Sequence, residues 1–478
     1  MIRYFSWTAF LMSVLLFSCH APSTTTLPTS LQKEIDAYLT ATQELHEVPG
    51  MAIAIIQEGE VIYQNCLGFA YLETQEPLHA HHILRVYSST KLLTSTAIFQ
   101  LIEQGKIALD DPITKYLDDL PDEWSQVHIG DMLAHGSGLP NMVRYPDTLD
   151  QAMIKRLIAE GFEFETGARF SYNQTNYWFL ARIIEKVTGS TFAEFLIANQ
   201  FPQGTSEVLL SSNSQIEIPH RISKYEYDDS KAQFVPTRYA AGVKGHAANG
   251  LNISLTAFID WAQRFRENDM ISAQTQKQMW TRYPFKNEED AFLYGWGIYP
   301  ANERESYGFT GGGVSGFRIF PNQDLTIIYL SSGSRYVSIH NYVIDHLASI
   351  VDSTAQNAGQ LAEESLIQSF LQDSIDQALT TFQQYKQQLP EHNFENILNS
   401  LGYALRRSGR LQDAIRIFQV NVETYPNSSN VYDSLGEAYL ADEQLALALV
   451  NYRKALERNP GNPYVQGMIK QIEEKMGT

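Results

Sequence analysis

Ser88-Ser89-Thr90-Lys91-Leu92-Leu93-Thr94-Ser95-Thr96-Ala97-Ile98-Phe99-Gln100-Leu101-Ile102 sets two serines, a threonine and a lysine at the head of an apolar run that Gly105 stops. The run predicts a helix with Ser88 at its N-terminus. Backbone N–H groups and the helix dipole favour a developing anion there. Lys91 follows three residues later, so its ammonium shares a face with the Ser88 hydroxyl. A serine nucleophile needs a base, and a lysine serves as one when burial lowers its pKa. Taken alone the spacing decides nothing, because Ser-x-x-Lys arises about once by chance in a chain this long. The elements on either side decide.

Upstream, Leu31–Leu45 reads as a helix. A hairpin follows, in which Met51-Ala52-Ile53-Ala54-Ile55-Ile56 turns at Glu58-Gly59 into Val61-Ile62-Tyr63. Cys66 falls in that second strand, Val61 to Leu67, as a core residue. Downstream, Phe317–Phe320 and Leu325–Leu330 turn at Asn322-Gln323-Asp324, and a helix from Tyr342 to Val351 closes the unit. Strands at both ends with helices between predict an α/β fold whose antiparallel sheet is assembled from the two termini of the domain.

Two further stretches supply chemistry. Tyr172-Asn173-Gln174-Thr175-Asn176-Tyr177 opens the helix Trp178–Val187, and the Tyr172 phenol is placed to hand a proton to a leaving group. Tyr307-Gly308-Phe309-Thr310-Gly311-Gly312-Gly313 precedes the last hairpin, where glycines let backbone approach a ligand. One N–H from this stretch and that of Ser88 would make an oxyanion hole.

The ordered set Pro49-Gly50, Ser88-x-x-Lys91, Gly105, Leu109-Asp110-Asp111-Pro112, Leu133-Ala134-His135-Gly136-Ser137-Gly138-Leu139, Ala248-Asn249-Gly250-Leu251, Tyr294-Gly295-Trp296-Gly297 and the glycine-rich motif resembles the beta-lactamase-related serine hydrolases. That family includes class C beta-lactamases, D,D-carboxypeptidase-type penicillin-binding proteins, D-aminopeptidases and esterases. The resemblance covers roughly Leu31 to Val351. It implies an antiparallel sheet flanked by helices, beside a helical subdomain, with the active site between them. Position by position, Ser88 matches the acylated nucleophile, Lys91 the proton acceptor, Tyr172 the tyrosine of the second motif and Gly312 the second oxyanion N–H. Acyl transfer of this kind needs no cofactor and no metal. His135 reads as a structural brace, and Trp296 and Tyr294 as core and cleft wall.

Two positions depart from the family pattern. Gln174 stands where the second motif usually has asparagine, keeping the amide on a longer arm. Phe309, Thr310 and Gly311 form the third motif, which usually begins with lysine or histidine. A phenyl ring carries no charge and donates no hydrogen bond. The departure argues against efficient beta-lactam hydrolysis and suits an uncharged substrate group. Lys244 and His246, near Ala248, are candidates for a replacement charge.

Beyond residue 352 the chain repeats. Leu401, Gly402, Ala404, Ala414 and Pro426 recur 34 residues later as Leu435, Gly436, Ala438, Ala448 and Pro460. The pattern looks like tetratricopeptide repeats. Ala378, Phe382 and Pro390 suggest a third, degenerate copy, and Met468–Met476 a capping helix. Such repeats imply a protein partner. At the other end Arg3 precedes an apolar run, Tyr4 to Phe17, too short to span a bilayer. The run ends in Leu16-Phe17-Ser18-Cys19, which resembles a bacterial lipoprotein box with Cys19 as the lipidated residue. The expected organisation is a signal peptide over 1–18, a tether over 19–30, a hydrolase domain over 31–352 and a repeat domain over 353–478. The expected location is the cell envelope, anchored to the membrane through Cys19 and facing the periplasm or exterior.

Lys and Arg total 35 against 54 Asp and Glu, a net charge of −19. With no basic block this excludes a typical nucleic-acid binder, because phosphate contacts need cations in number. Two functions remain: a serine hydrolase acting on a small ester, amide or peptide, or a lapsed relative that binds such a ligand and works through its repeats. Intact Ser88, Lys91 and Tyr172 favour the first, and Gln174 and Phe309 the second.

Overall fold

The structure is a computed structural model that describes residues 27–145, 150–204, 206–240 and 242–477; Cys19 and the leader lie outside them. The main sheet has seven antiparallel strands: β1 (Gly50–Gln57), β2 (Glu60–Tyr71), β3 (Glu76–Pro77), β4 (Gly297–Ala301), β5 (Arg304–Gly311), β6 (Ser315–Phe320) and β7 (Leu325–Ser331). Their order is β3-β2-β1-β7-β6-β5-β4. The two sequence-terminal hairpins therefore meet at a central seam, with Met51 opposite Ser331 and Gln57 opposite Leu325. Glu58 and Gly59 both have positive φ, as the tight turn between β1 and β2 requires.

The alternation within β1 shows how the sheet is held. Ala52, Ala54 and Ile56 face one core, and Met51, Ile53 and Ile55 the other. Against the first face lie the Thr90–Glu103 and Leu255–Arg266 helices, with the helical subdomain that carries Gln174–Thr188 beyond them. Thr90–Glu103 is buried from Thr90 through Leu101, which is why its sequence is apolar all round rather than amphipathic. A three-stranded sheet, Ile83–Arg85, Leu251–Ser254 and Val208–Leu210, fixes the segment leading into Ser88.

The second face packs on the Thr29–Leu45 and His340–Val351 helices, and this core runs on without a break into the C-terminal helices. Those helices are Ala358–Gln372, Ile375–Gln388, Glu395–Arg407, Leu411–Thr424, Ser429–Ala441, Leu445–Arg458 and Pro463–Met476. Close helix crossings explain the recurring small residues. A Cβ on Gly402 would stand 2.4 Å from the Phe418 ring, and one on Gly436 3.1 Å from Tyr452. Glu363 and Glu364 tie this region to the sheet layer: Tyr38 donates to Glu364 at 2.6 Å and Tyr342 to Glu363 at 2.8 Å. Cys66 lies half-buried on β2, and burial pushes its thiol up to about 11, which leaves it unreactive.

Candidate active site

Ser88 belongs to a single 3-10 turn, Tyr87–Ser89, that feeds the Thr90–Glu103 helix. The sequence reading puts Ser88 at the helix start; the backbone first winds one tighter turn. Tyr87 has φ 46°, a region tyrosine rarely visits. The turn is clamped nonetheless. Thr90 Oγ1 donates to the Tyr87 carbonyl at 2.5 Å, and Ser315 Oγ to that of Val86 at 2.7 Å. Ser89 Oγ and Ser315 Oγ lie 3.0 Å apart.

The third motif lies flat against this turn because it lacks side chains. A Cβ on Gly311 would come within 2.0 Å of the Val86 carbonyl oxygen and 2.7 Å of the Ser88 nitrogen. Gly312 follows at φ 58°, and a Cβ there would stand 2.6 Å from the Tyr87 ring. The Gly311 backbone is thus brought against the Ser88 N–H, with Gly312 next to it over the Tyr87 ring. Thr310 borders them at the end of β5.

Lys91 is fully buried and donates from Nζ to the Ala248 carbonyl at 2.8 Å. Its nitrogen lies 4.7 Å from the centre of the Tyr172 ring, 5.0 Å from Tyr177 and 5.7 Å from Phe309. Burial holds its pKa well below the ordinary lysine range. Tyr172 sits at the mouth and donates to Ser88 Oγ at 2.8 Å. Burial pushes its phenol up to about 12, against the smaller opposing effect of the Ser88 hydrogen bond. The tyrosine is therefore a neutral donor, and burial favours the uncharged amine at Lys91.

His135 braces the second motif. Its Nδ1 accepts from the Asn173 N–H at 3.1 Å, its carbonyl accepts from Ser171 at 2.9 Å, and its ring lies 4.6 Å from Tyr172. Burial first, then the neighbouring Lys91 charge, hold the imidazole well below its usual pKa, so it stays neutral. Asn173 caps the next helix by accepting from the Thr175 N–H at 2.8 Å. Gln174 becomes the first helical residue, and its Oε1 is buried without a partner among the described residues. The expected amide is present at the head of that helix. Phe309, 8% exposed, forms the apolar side of the site with Phe292, their ring centres 6.1 Å apart. Lys244 approaches Asp150 at 4.0 Å, and His246 is held below its usual pKa first by burial and then by Arg85. A cation that sequence reasoning missed, Arg85, lies beside the nucleophile turn, its guanidinium 4.3 Å from the centre of the Tyr87 ring.

A family model described as Beta-lactamase matches residues 35–350. The chain belongs to the beta-lactamase family. Penicillin-binding protein 4* of Bacillus subtilis (strain 168) is 25% identical over 326 residues, covering 63% of this chain and 72% of that protein. D-aminopeptidase of Brucella anthropi is 28% identical over 243 residues, covering 48% of this chain and 45% of that enzyme. Among solved structures, the octameric penicillin-binding protein homologue from Pyrococcus abyssi superposes with a TM-score of 0.59 at 23% identity, covering 70% of this chain and 81% of that one. This beta-lactamase-family chain is a serine hydrolase by kinship. The residues that sequence reasoning left without a role in it, Ala248 and Tyr177, hold Lys91. The only signal for Ala248 was its place in the Ala248-Asn249-Gly250-Leu251 motif.

Proposed function

We propose that the protein hydrolyses a small ester or amide through an acyl-enzyme on Ser88. The observation that carries the reading is the Tyr172–Ser88 hydrogen bond at 2.8 Å beside a fully buried Lys91 whose pKa burial holds well below the ordinary lysine range. Lys91 takes the proton of Ser88 as Oγ bonds to the substrate carbonyl carbon. The N–H groups of Ser88 and Gly312 hold the resulting oxyanion. Tyr172 delivers a proton to the departing oxygen or nitrogen as its bond to carbon breaks, and takes back from Lys91 the proton that Ser88 gave up. Water then adds to the acyl carbon, Ser88 leaves with a proton, and the acid product is released. The amide oxygen of Gln174 orients the substrate, and Phe309, Thr310 and Gly311 wall the acyl site. The substrate class is an ester, a D-configured amide or a cell-wall-like peptide rather than a beta-lactam. Kinship to a D-aminopeptidase and a penicillin-binding protein supports it.

The wider organisation belongs to the same proposal. Cys19 carries lipid after removal of residues 1–18, residues 19–30 tether the hydrolase domain 31–352 to the envelope membrane, and it faces the periplasm or exterior. Residues 353–478 are tetratricopeptide-like and bind a protein partner; the 34-residue period and the paired helices support this.

Intact mass after treatment with a fluorophosphonate ester tests the chemistry. One adduct is expected on the parent and none on Ser88→Ala, with turnover of p-nitrophenyl esters or D-amino-acid amides exceeding that of nitrocefin. A folded parent that takes no adduct overturns the reading in favour of a lapsed binding protein.

A further inference from the structure

Beside the nucleophile turn lies a cavity of about 670 Å³ that the mechanism above does not use. Its walls include Arg85, Arg221, Lys224, Tyr87, Tyr239 and, on the rim, Glu217. Tyr87 is shared with the catalytic turn: it precedes Ser88, and its ring packs on Gly312. Arg85 is joined to the site from the other direction. It donates from Nε to the Asn249 carbonyl at 3.0 Å and from Nη2 to Asn249 Oδ1 at 2.9 Å, one residue beyond the carbonyl that holds Lys91.

The arginines are held as a ligand site would hold them. The Arg85 guanidinium lies in the angle between two tilted rings, 4.3 Å from the centre of Tyr87 and 3.8 Å from that of Tyr239. Its Nη1 has no protein hydrogen-bond partner among the described residues. Arg221 donates to Ser211 Oγ at 3.3 Å and to the Asn213 carbonyl at 3.2 Å. Both line the one cavity, and burial lowers the Arg221 pKa, against the opposing effect of Tyr239 and with a smaller lowering from the Arg85 charge. Among the described residues neither forms an ion pair with a carboxylate, although the chain carries 54 acidic residues. Lys224 does, with Glu226 at 3.1 Å. Two guanidinium groups that line one cavity, neither ion-paired to a carboxylate among the described residues, favour an anion there. Planar guanidinium edges match a carboxylate.

We propose that Arg85 and Arg221 form a carboxylate subsite, so that the preferred ester or amide carries a free carboxylate on the side of Ser88 away from Phe309. This deepens, and rests on, the serine hydrolase reading. The cleft is then two-sided: Phe309 and Phe292 contact an apolar part of the substrate, and the arginine cavity takes its acidic end.

Matched substrates test it. Mono-p-nitrophenyl glutarate is compared with p-nitrophenyl valerate, and 4-acetoxybenzoate with phenyl acetate, placing the charge on the acyl or the leaving side. For at least one pair, the ratio of kcat/KM for the charged over the neutral ester falls about tenfold or more in both Arg221→Gln and Arg85→Lys. A ratio is independent of how much of a variant folds. Unchanged ratios for both pairs overturn the subsite. Calorimetry on Ser88→Ala decides the case where no ester is turned over, an outcome that defeats the hydrolase reading alone. There monomethyl glutarate binds about tenfold tighter than dimethyl glutarate, and Arg221→Gln removes the difference. Equal binding of the two overturns the proposal.

Discussion

Replacing Phe309 by lysine places an ammonium where a ring centre now lies 5.7 Å from Lys91 Nζ. At the effective dielectric of about 20 that suits protein sites, two unit charges at that separation repel by about 3 kcal/mol. A pKa unit is worth about 1.4 kcal/mol, so the protonated form of Lys91 is disfavoured by about two further units. Burial already holds Lys91 low, and the new charge acts in the same direction. Activity requires the neutral amine, so the acid limb of the kcat/KM profile moves down by about two pH units. The assay is ester turnover from pH 4 to 9, with Phe309→Leu as the control that removes the ring and adds no charge. In bulk water the same pair would repel by less than about 1 kcal/mol and move the limb by about half a unit. A limb in Phe309→Lys that coincides with that of Phe309→Leu would refute both the dry site and the assignment of Lys91 as base.

Three other outcomes are expected. Tyr172→Phe loses the donor 2.8 Å from Ser88 and, with it, about 10²–10⁴ in kcat with KM little changed, measured by steady-state kinetics. Lys91→Met abolishes turnover and raises Tm. A lysine held below its ordinary pKa takes up a proton on unfolding, so the parent loses stability as pH falls from the lysine range; the gain in Tm is largest at low pH and shrinks toward pH 10. Gly402→Ala costs about 1–3 kcal/mol in urea unfolding, because its Cβ would lie 2.4 Å from Phe418; Gly436→Ala, at 3.1 Å from Tyr452, costs less.

The parts of the fold that were legible in the sequence are those encoded by short-range pattern. The apolar run Met51–Ile56 gave a strand, Glu58-Gly59 its turn, and the 34-residue period the C-terminal helices. Boundaries shifted where tertiary contacts act: the second strand runs on to Tyr71 through its pairing with β3, and the last helix begins at Pro463 rather than Met468. In the site, Ser88, Lys91, Tyr172 and the glycines were visible through spacing and resemblance. Arg85 was not. Its meaning comes from Asn249, Tyr239 and Arg221, more than 130 residues away in the chain, and no local pattern marks a cation whose partners are brought to it only by folding.

The seam between β1 and β7 also has a kinetic consequence. Met51 finds its partner only when Ser331 exists. During synthesis at roughly 5–20 residues per second, the apolar β1–β2 hairpin waits on the order of 15–60 seconds with one edge unpaired. Such an edge is a template for joining other chains. The C-terminal helices, built from neighbours in sequence, close within moments of emerging. The enzyme half of the molecule is thus the slow and aggregation-prone half, and its birth calls for a holding chaperone until the sheet is sealed.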